Sequence, residues 1–175
     1  TRVIITIANL VPVKGIEVLI AAFELLTLDY PNWKLMIVGD DTTEYGNRLK
    51  NELSEKKDLI DKIIFTGRQN YVRPFLDISE IYVQSSLYPG EGAPIGILEA
   101  MTNQKNIIAS NVAGIRDQMA AFPNHLFKVG NINELREKLN LFMSKSKYEN
   151  NILGETFCKY SIDHHNLNKE RIEIE

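Results

Sequence analysis

Cysteine is almost missing from this chain of 175 residues: Cys158 is its one thiol. A disulfide framework is therefore excluded, and a reducing compartment, the cytoplasm, is the expected setting. Histidine is scarce as well, and two of the three, His164 and His165, are adjacent near the C-terminal end. No Cys or carboxylate ligand set stands at suitable spacing beside them, so no metal site is expected there. Their expected place is exposed, on a polar tail. No apolar run is long enough to span a bilayer, and no signal peptide is visible. Charge of one sign is not in excess: the formal net charge is −3, which excludes a nucleic-acid role driven by phosphate neutralisation. Tyr71, Tyr82 and Tyr88 lack the basic interleaving of a nucleic-acid surface and are expected to be packing residues.

What the chain has is a repeated strand–helix pattern, long enough to bury a real core. Val3 to Ala8 is a nearly continuous apolar run, as in a strand buried on both faces. Ile16, Leu19, Ile20, Phe23 and Leu26 recur at helical spacing, and Tyr30-Pro31-Asn32 breaks the helix. Leu35 to Val38 is a second strand, and Tyr45, Leu49 and Leu53 mark a more polar second helix. Ile63 to Phe65 is a third strand, and Tyr71 to Ser79 a short helix despite Pro74. Ile81 to Gln84 and Ile107 to Ala109 are the fourth and fifth strands; a helix starts near Gly114. Phe127 to Val129 is a sixth strand, and Asn131 caps a long helix running to about Met143.

Alternating strands and helices imply an α/β fold: a Rossmann-like, doubly wound parallel sheet of about six strands. Ligands of such sheets bind outside the carboxyl ends of the strands. That edge receives Asn9 and Lys14 after strand one, Arg68 and Gln69 after strand three, and Glu91 after strand four.

Glu91-Gly92-Ala93-Pro94-Ile95-Gly96-Ile97-Leu98-Glu99 places two carboxylates around a loop and the start of an apolar helical face. Pro94 suits the first turn of that helix. By spacing alone Glu91 could decorate a surface turn and Glu99 a solvated helix face, Lys14 could be a loop lysine, and Arg68 could pair with Asp77. Taken in order with Val11-Pro12-Val13-Lys14-Gly15, Trp33 to Asp40, Phe65-Thr66-Gly67 and Ile107 to Ile115, the stretch resembles the C-terminal domain of GT-B retaining glycosyltransferases of the GT4 (group 1) type. The resemblance runs from about Val3 to Met119, with a weaker echo at the C-terminal end.

The resemblance implies a nucleoside diphosphate sugar as donor. In the family the first Glu of E-x7-E faces the transferred sugar and the second holds the ribose, which assigns Glu91 and Glu99 respectively. Lys14, the other group assigned to catalysis, would hold the diphosphate with Asn9, Gly15 and the backbone of Gly92, Ala93, Pro94 and Ile95. The backbone at Arg68 and Gln69 would contact the base. No cofactor and no metal are expected, positive protein groups stabilising the leaving diphosphate.

Three positions depart from the family pattern. Ala8-Asn9 stands where Gly-Arg is common, so one diphosphate cation is replaced by an uncharged donor. Glu91-Gly92-Ala93-Pro94 replaces Glu-Gly-Phe-Gly, and Ala113 and Arg116 replace a Gly and a Pro. The chain enters a strand at once, as expected of a piece of a longer protein. Residues 1–159 are read as the donor-binding domain and 160–175 as a C-terminal helix crossing back to an N-terminal acceptor domain that this chain lacks. The fragment alone is expected to be inactive, and the missing domain could bring the enzyme to a membrane surface. Its partners are the donor, that domain and an acceptor glycan, lipid or other molecule, with no nucleic acid. Two other readings stay open: a non-catalytic nucleotide-binding domain, and a GT-B-like nucleotide-sugar epimerase.

Overall fold

A computed structural model describes residues 1–88 and 92–165, the side chain of residue 165 excepted. The first unit is β1 (Arg2–Ile7), α1 (Ile16–Glu24) and β2 (Trp33–Val38). Then come α2 (Glu44–Ser54), α3 (Lys57–Ile60), β3 (Ile63–Phe65), α4 (Arg73–Asp77), β4 (Ile81–Gln84) and α5 (Ile95–Thr102). The chain continues through β5 (Asn106–Ser110), α6 (Ala113–Gln118), β6 (Leu126–Phe127), α7 (Ile132–Met143) and α8 (Lys147–His165).

The six strands form one sheet in the order β3-β2-β1-β4-β5-β6, every pair parallel. Because successive side chains of a strand point to opposite faces, the sheet separates two cores. Ile4, Leu35 and Val83 pack on one face with Leu19 and Phe23 of α1, Leu49 of α2 and Leu139 of α7. Ile5, Tyr82 and Ile107 pack on the other with Ile97 and Met101 of α5, Ile115 of α6 and Phe157 of α8. The chain switches face between β1 and β4, neighbours in the sheet that are far apart in sequence. There α1 and α5, the helices that follow the two strands, lie on opposite faces, and such a switch point is the usual ligand position in these sheets.

Local chemistry fixes the helix starts. Thr43 accepts a hydrogen bond from Gly46 N–H at 3.0 Å and so caps α2. Asn131 accepts from Glu134 N–H at 3.1 Å and caps α7, as its sequence position predicts. Pro94 differs from expectation: it is the N-cap of α5, with extended backbone, and the first turn begins at Ile95.

Other departures are informative. Tyr82 is fully buried, but Tyr71 and Tyr88 are 66% and 69% exposed, so these two are not packing residues. β6 ends at Phe127, leaving Val129 outside it. α4 is shorter than expected, and the one-turn α3 was not anticipated. α8 runs unbroken from Lys147 past position 160; the remainder of the expected terminal helix, 166–175, lies outside the described residues.

Candidate functional site

The loop after β1 is built by a turn and a glycine. Pro12–Lys14 form a single 3-10 turn, and Gly15 follows at φ 59°, in the left-handed region, donating its N–H to Pro12 O at 3.0 Å. A β-carbon at Gly15 would lie 2.3 Å from Ser85 O, so the position needs glycine for both its dihedral and its space. Lys14 ends the turn and is half-buried; Asn9, in the loop ahead of the turn, is exposed. The turn is tied to the segment after β4: Leu87 N–H donates to Val13 O at 2.7 Å, and the Ser85 hydroxyl to Lys14 O at 3.0 Å.

After β3 the chain turns at Gly67, whose carbonyl accepts the Gly39 N–H at 3.1 Å. Arg68 is exposed, and the structure pairs it with no carboxylate of Asp77. Its charge instead assists in lowering the Asp40 carboxyl, which hydrogen bonds from Thr42 hold chiefly below the usual range. Gln69 is half-buried and donates from Nε2 to Thr66 O at 2.7 Å.

Gly92 and Ala93 are exposed, and Ile95 is 73% exposed at the start of α5. No acidic residue occupies the first turn of α5, so no carboxylate within the helix itself offsets its positive dipole end. Pro94 O accepts both the Ile97 N–H and the Gln118 side chain, each at 3.2 Å, which fixes the helix entry. Glu91 lies outside the described residues. Glu99, one turn into α5, is half-buried, and loss of hydration raises its pKa above the ordinary carboxylate value.

Gln69 and Glu99 line one cavity of about 470 Å³ between α4 and α5, together with Tyr71, Arg73 and Asn103. Two residues assigned from the sequence to neighbouring parts of one ligand thus share a cavity. Lys14 and Gly15 are joined to the segment that leads to Glu91, whereas Asn9 and Arg68 do not line that cavity. Tyr71, expected from the sequence to be a packing residue, instead lines this cavity. Ser85 and Gln118 gave no sequence signal, because their roles depend on backbone groups distant in sequence. Among the described residues no three His, Cys, Asp or Glu side chains group as metal ligands would, and no helix is long and apolar enough to cross a membrane.

Comparison with known proteins bears on this edge. Residues 1–155 match the family described as Glycosyl transferases group 1. The chain belongs to that family. As a group 1 (GT4) domain, it is 31% identical over 145 residues to an uncharacterized glycosyltransferase of Haemophilus influenzae, covering 82% of this chain and 40% of that one. It is 37% identical over 109 residues to an uncharacterized glycosyltransferase of Methanocaldococcus jannaschii, covering 62% and 26%. The chain therefore spans well under half the length of these curated relatives. Among solved structures, the C-terminal domain of a group 1 glycosyl transferase, LpcC of Francisella tularensis, matches at TM-score 0.76 and 23% identity, covering 94% of this chain and 86% of that one. A glycosyltransferase of Rickettsia africae matches at TM-score 0.83 and 23% identity, covering 99% and 47%. The Anabaena HepE protein in complex with UDP and glucose matches at 0.80 and 19%, covering 99% and 48%. The six-stranded parallel sheet is thus the C-terminal, Rossmann-like half of the GT-B fold.

Proposed function

We propose that this group 1 domain binds the nucleoside diphosphate sugar of a retaining glycosyltransferase that transfers the sugar to a glycan, lipid or other acceptor. The observation that carries the reading is the shared cavity of Gln69 and Glu99 between α4 and α5. The complex of HepE with UDP and glucose supports the ligand class. Residues 1–159 form the donor domain in this reading, and 160–175 lead back to an N-terminal domain that supplies most acceptor contacts.

The chemistry divides by charge. Carboxylates repel phosphate, so the diphosphate falls to the Lys14 ammonium, the amides around Gly15 and the start of α5. Ionised Glu91 and Glu99 accept hydrogen bonds from hydroxyls, Glu91 from the sugar and Glu99 from the ribose. The backbone at Arg68 and Gln69 meets the base. As the bond to the sugar breaks, charge grows on the leaving diphosphate, and the same positive groups stabilise it. Asn9 supplies a hydrogen bond but no charge, which favours as second reading a domain that binds nucleotide without catalysing.

Titration of the chain with UDP, GDP and ADP tests the proposal. At least one should bind, and Lys14→Ala should weaken it by about 1.5–3 kcal/mol, roughly ten- to over a hundredfold. Equal affinity of wild type and variant removes Lys14 from the site; no binding by any nucleotide contradicts the donor reading. In the whole enzyme, nucleoside diphosphate released only when acceptor is added separates transfer from epimerisation or mere binding.

A further inference from the structure

The sheet order bears on where a second substrate can meet the first. In the donor reading the base is met after β3, at Gln69, and the diphosphate after β1, at the Gly15 turn, so the ligand runs along the carboxyl edge towards β4. Beyond β4 on the same edge come β5 and β6, and a cavity of about 620 Å³ lies there, within the size range of small-molecule sites. Tyr88 reaches it from the segment after β4, Asn111 from the residue after β5, Lys128 from the residue after β6, and α6 adds Arg116 and Asp117. Its buried lining residues, Met119 and Phe127, are apolar. The frame is held by hydrogen bonds: Asn111 N–H donates to Phe127 O at 2.8 Å, and Lys128 N–H to the Glu134 carboxylate at 2.7 Å, whose other oxygen accepts from Asn131 at 3.0 Å. The side chains of Asn111, Arg116, Asp117 and Lys128 are exposed and make no hydrogen bond or ion pair among the described residues.

We infer that this cavity holds a neutral sugar unit of the acceptor, which makes the acceptor a glycan. The acceptor role rests on the donor-site reading above. A sugar ring has an apolar C–H face and a rim of hydroxyls, each of them both donor and acceptor. Tyr88, 69% exposed, offers an aromatic ring for that face and a polar tip for the rim. The Asn111 amide and the Arg116 guanidinium are planar groups with more than one polar atom, able to span neighbouring hydroxyls; Asp117 accepts and Lys128 donates. Charge selects against an anion. Arg116 and Lys128 stand against Asp117 and Glu134, so the cavity holds no excess of positive charge to draw in a phosphate. Donor diphosphate and acceptor sugar are thereby kept to different stretches of one edge.

NMR titration of the chain with maltotriose, chitotriose, mannotriose and xylotriose, and separately with inorganic phosphate, tests the inference. At least one trisaccharide should give saturable shifts at Asn111, Arg116 and Lys128 and leave Gln69 and Glu99 unmoved; phosphate should not saturate there. Arg116→Ala and Tyr88→Ala should each weaken that sugar about three- to tenfold, the scale of one lost hydrogen bond or ring contact. Both variants should bind UDP, GDP and ADP as wild type does, because sites without shared partners behave independently. Thermal unfolding checks that each variant is folded. Three results overturn the inference while nucleotide binding leaves the donor site standing: no trisaccharide that shifts these residues, phosphate that shifts them as strongly as any sugar, or variants that bind the sugar like wild type. Sugar binding here with no nucleotide bound anywhere overturns the donor reading, and the acceptor role with it.

Discussion

Glu99 has two demands on it that conflict. Burial raises its pKa, so the folded state holds the proton more tightly than the unfolded chain does. Between the ordinary and the raised value, the folded state binds more protons, and stability falls as pH climbs through that window. Glu99→Gln removes this fall. The variant should unfold at a higher temperature than wild type at neutral pH and lose that advantage below the ordinary carboxylate range; a Tm difference that stays constant across pH would contradict the assignment. The same substitution should weaken nucleoside diphosphate and nucleotide sugar about equally, by about 1–2 kcal/mol, because both carry the ribose. Glu91→Gln should weaken the nucleotide sugar more than the bare nucleotide. Equal losses for Glu91→Gln on both ligands would reassign the first carboxylate, and no loss for either variant would make both glutamates surface groups. The sequence offers these residues as a pattern: two glutamates at the E-x7-E spacing and a lysine before a glycine. The cavity that joins Gln69 to Glu99 is not legible there, since it forms between helices with no common sequence signal.

At the scale of elements, α8 shows why part of the fold escaped the sequence. Its buried positions include Asn150, Gly154, Phe157 and Ser161, at helical spacing but mostly polar or small. A search for apolar periodicity sees a polar segment there. The stripe suits close approach instead: a β-carbon at Gly154 would lie 1.9 Å from Gln104 O, in the turn between α5 and β5. Gly→Ala inside a helix normally stabilises by about 0.5–1 kcal/mol. Here the sign should reverse, with Gly154→Ala destabilising by about 1–3 kcal/mol or more, because backbone must move. Urea unfolding measures it, and a variant as stable as wild type would mean that α8 does not pack so closely. α3 was invisible for another reason: one turn burying Leu59 alone gives no period to read. β1, β4 and β5 were legible because strands covered on both faces are continuous apolar runs.

At the scale of the molecule, a doubly wound parallel sheet of about six strands followed from alternation, right-handed crossovers and the family resemblance, and the structure adds the order β3-β2-β1-β4-β5-β6. The exposed Tyr71 and Tyr88 did not follow from them, because exposure of a single aromatic is decided by which face its loop turns to. The whole domain carries a net charge of −3, yet the account has it bind a polyanion. Local placement must then outweigh net charge, through Lys14, the Gly15 turn and the start of α5 acting together. If they suffice, donor affinity should change little when magnesium is replaced by a chelator at constant ionic strength; a large, saturable magnesium requirement would show that protein cations do not carry the diphosphate.

The most direct test of the central claim is a residue-resolved NMR titration of the chain with the nucleoside diphosphate that binds. The account predicts saturable shifts that converge on three stretches at one sheet edge: Lys14 and Gly15, Arg68 and Gln69, and Gly92 to Glu99. Shifts centred instead on the separate cavity beside β5 and β6, lined by Asn111, Arg116 and Lys128, would contradict it.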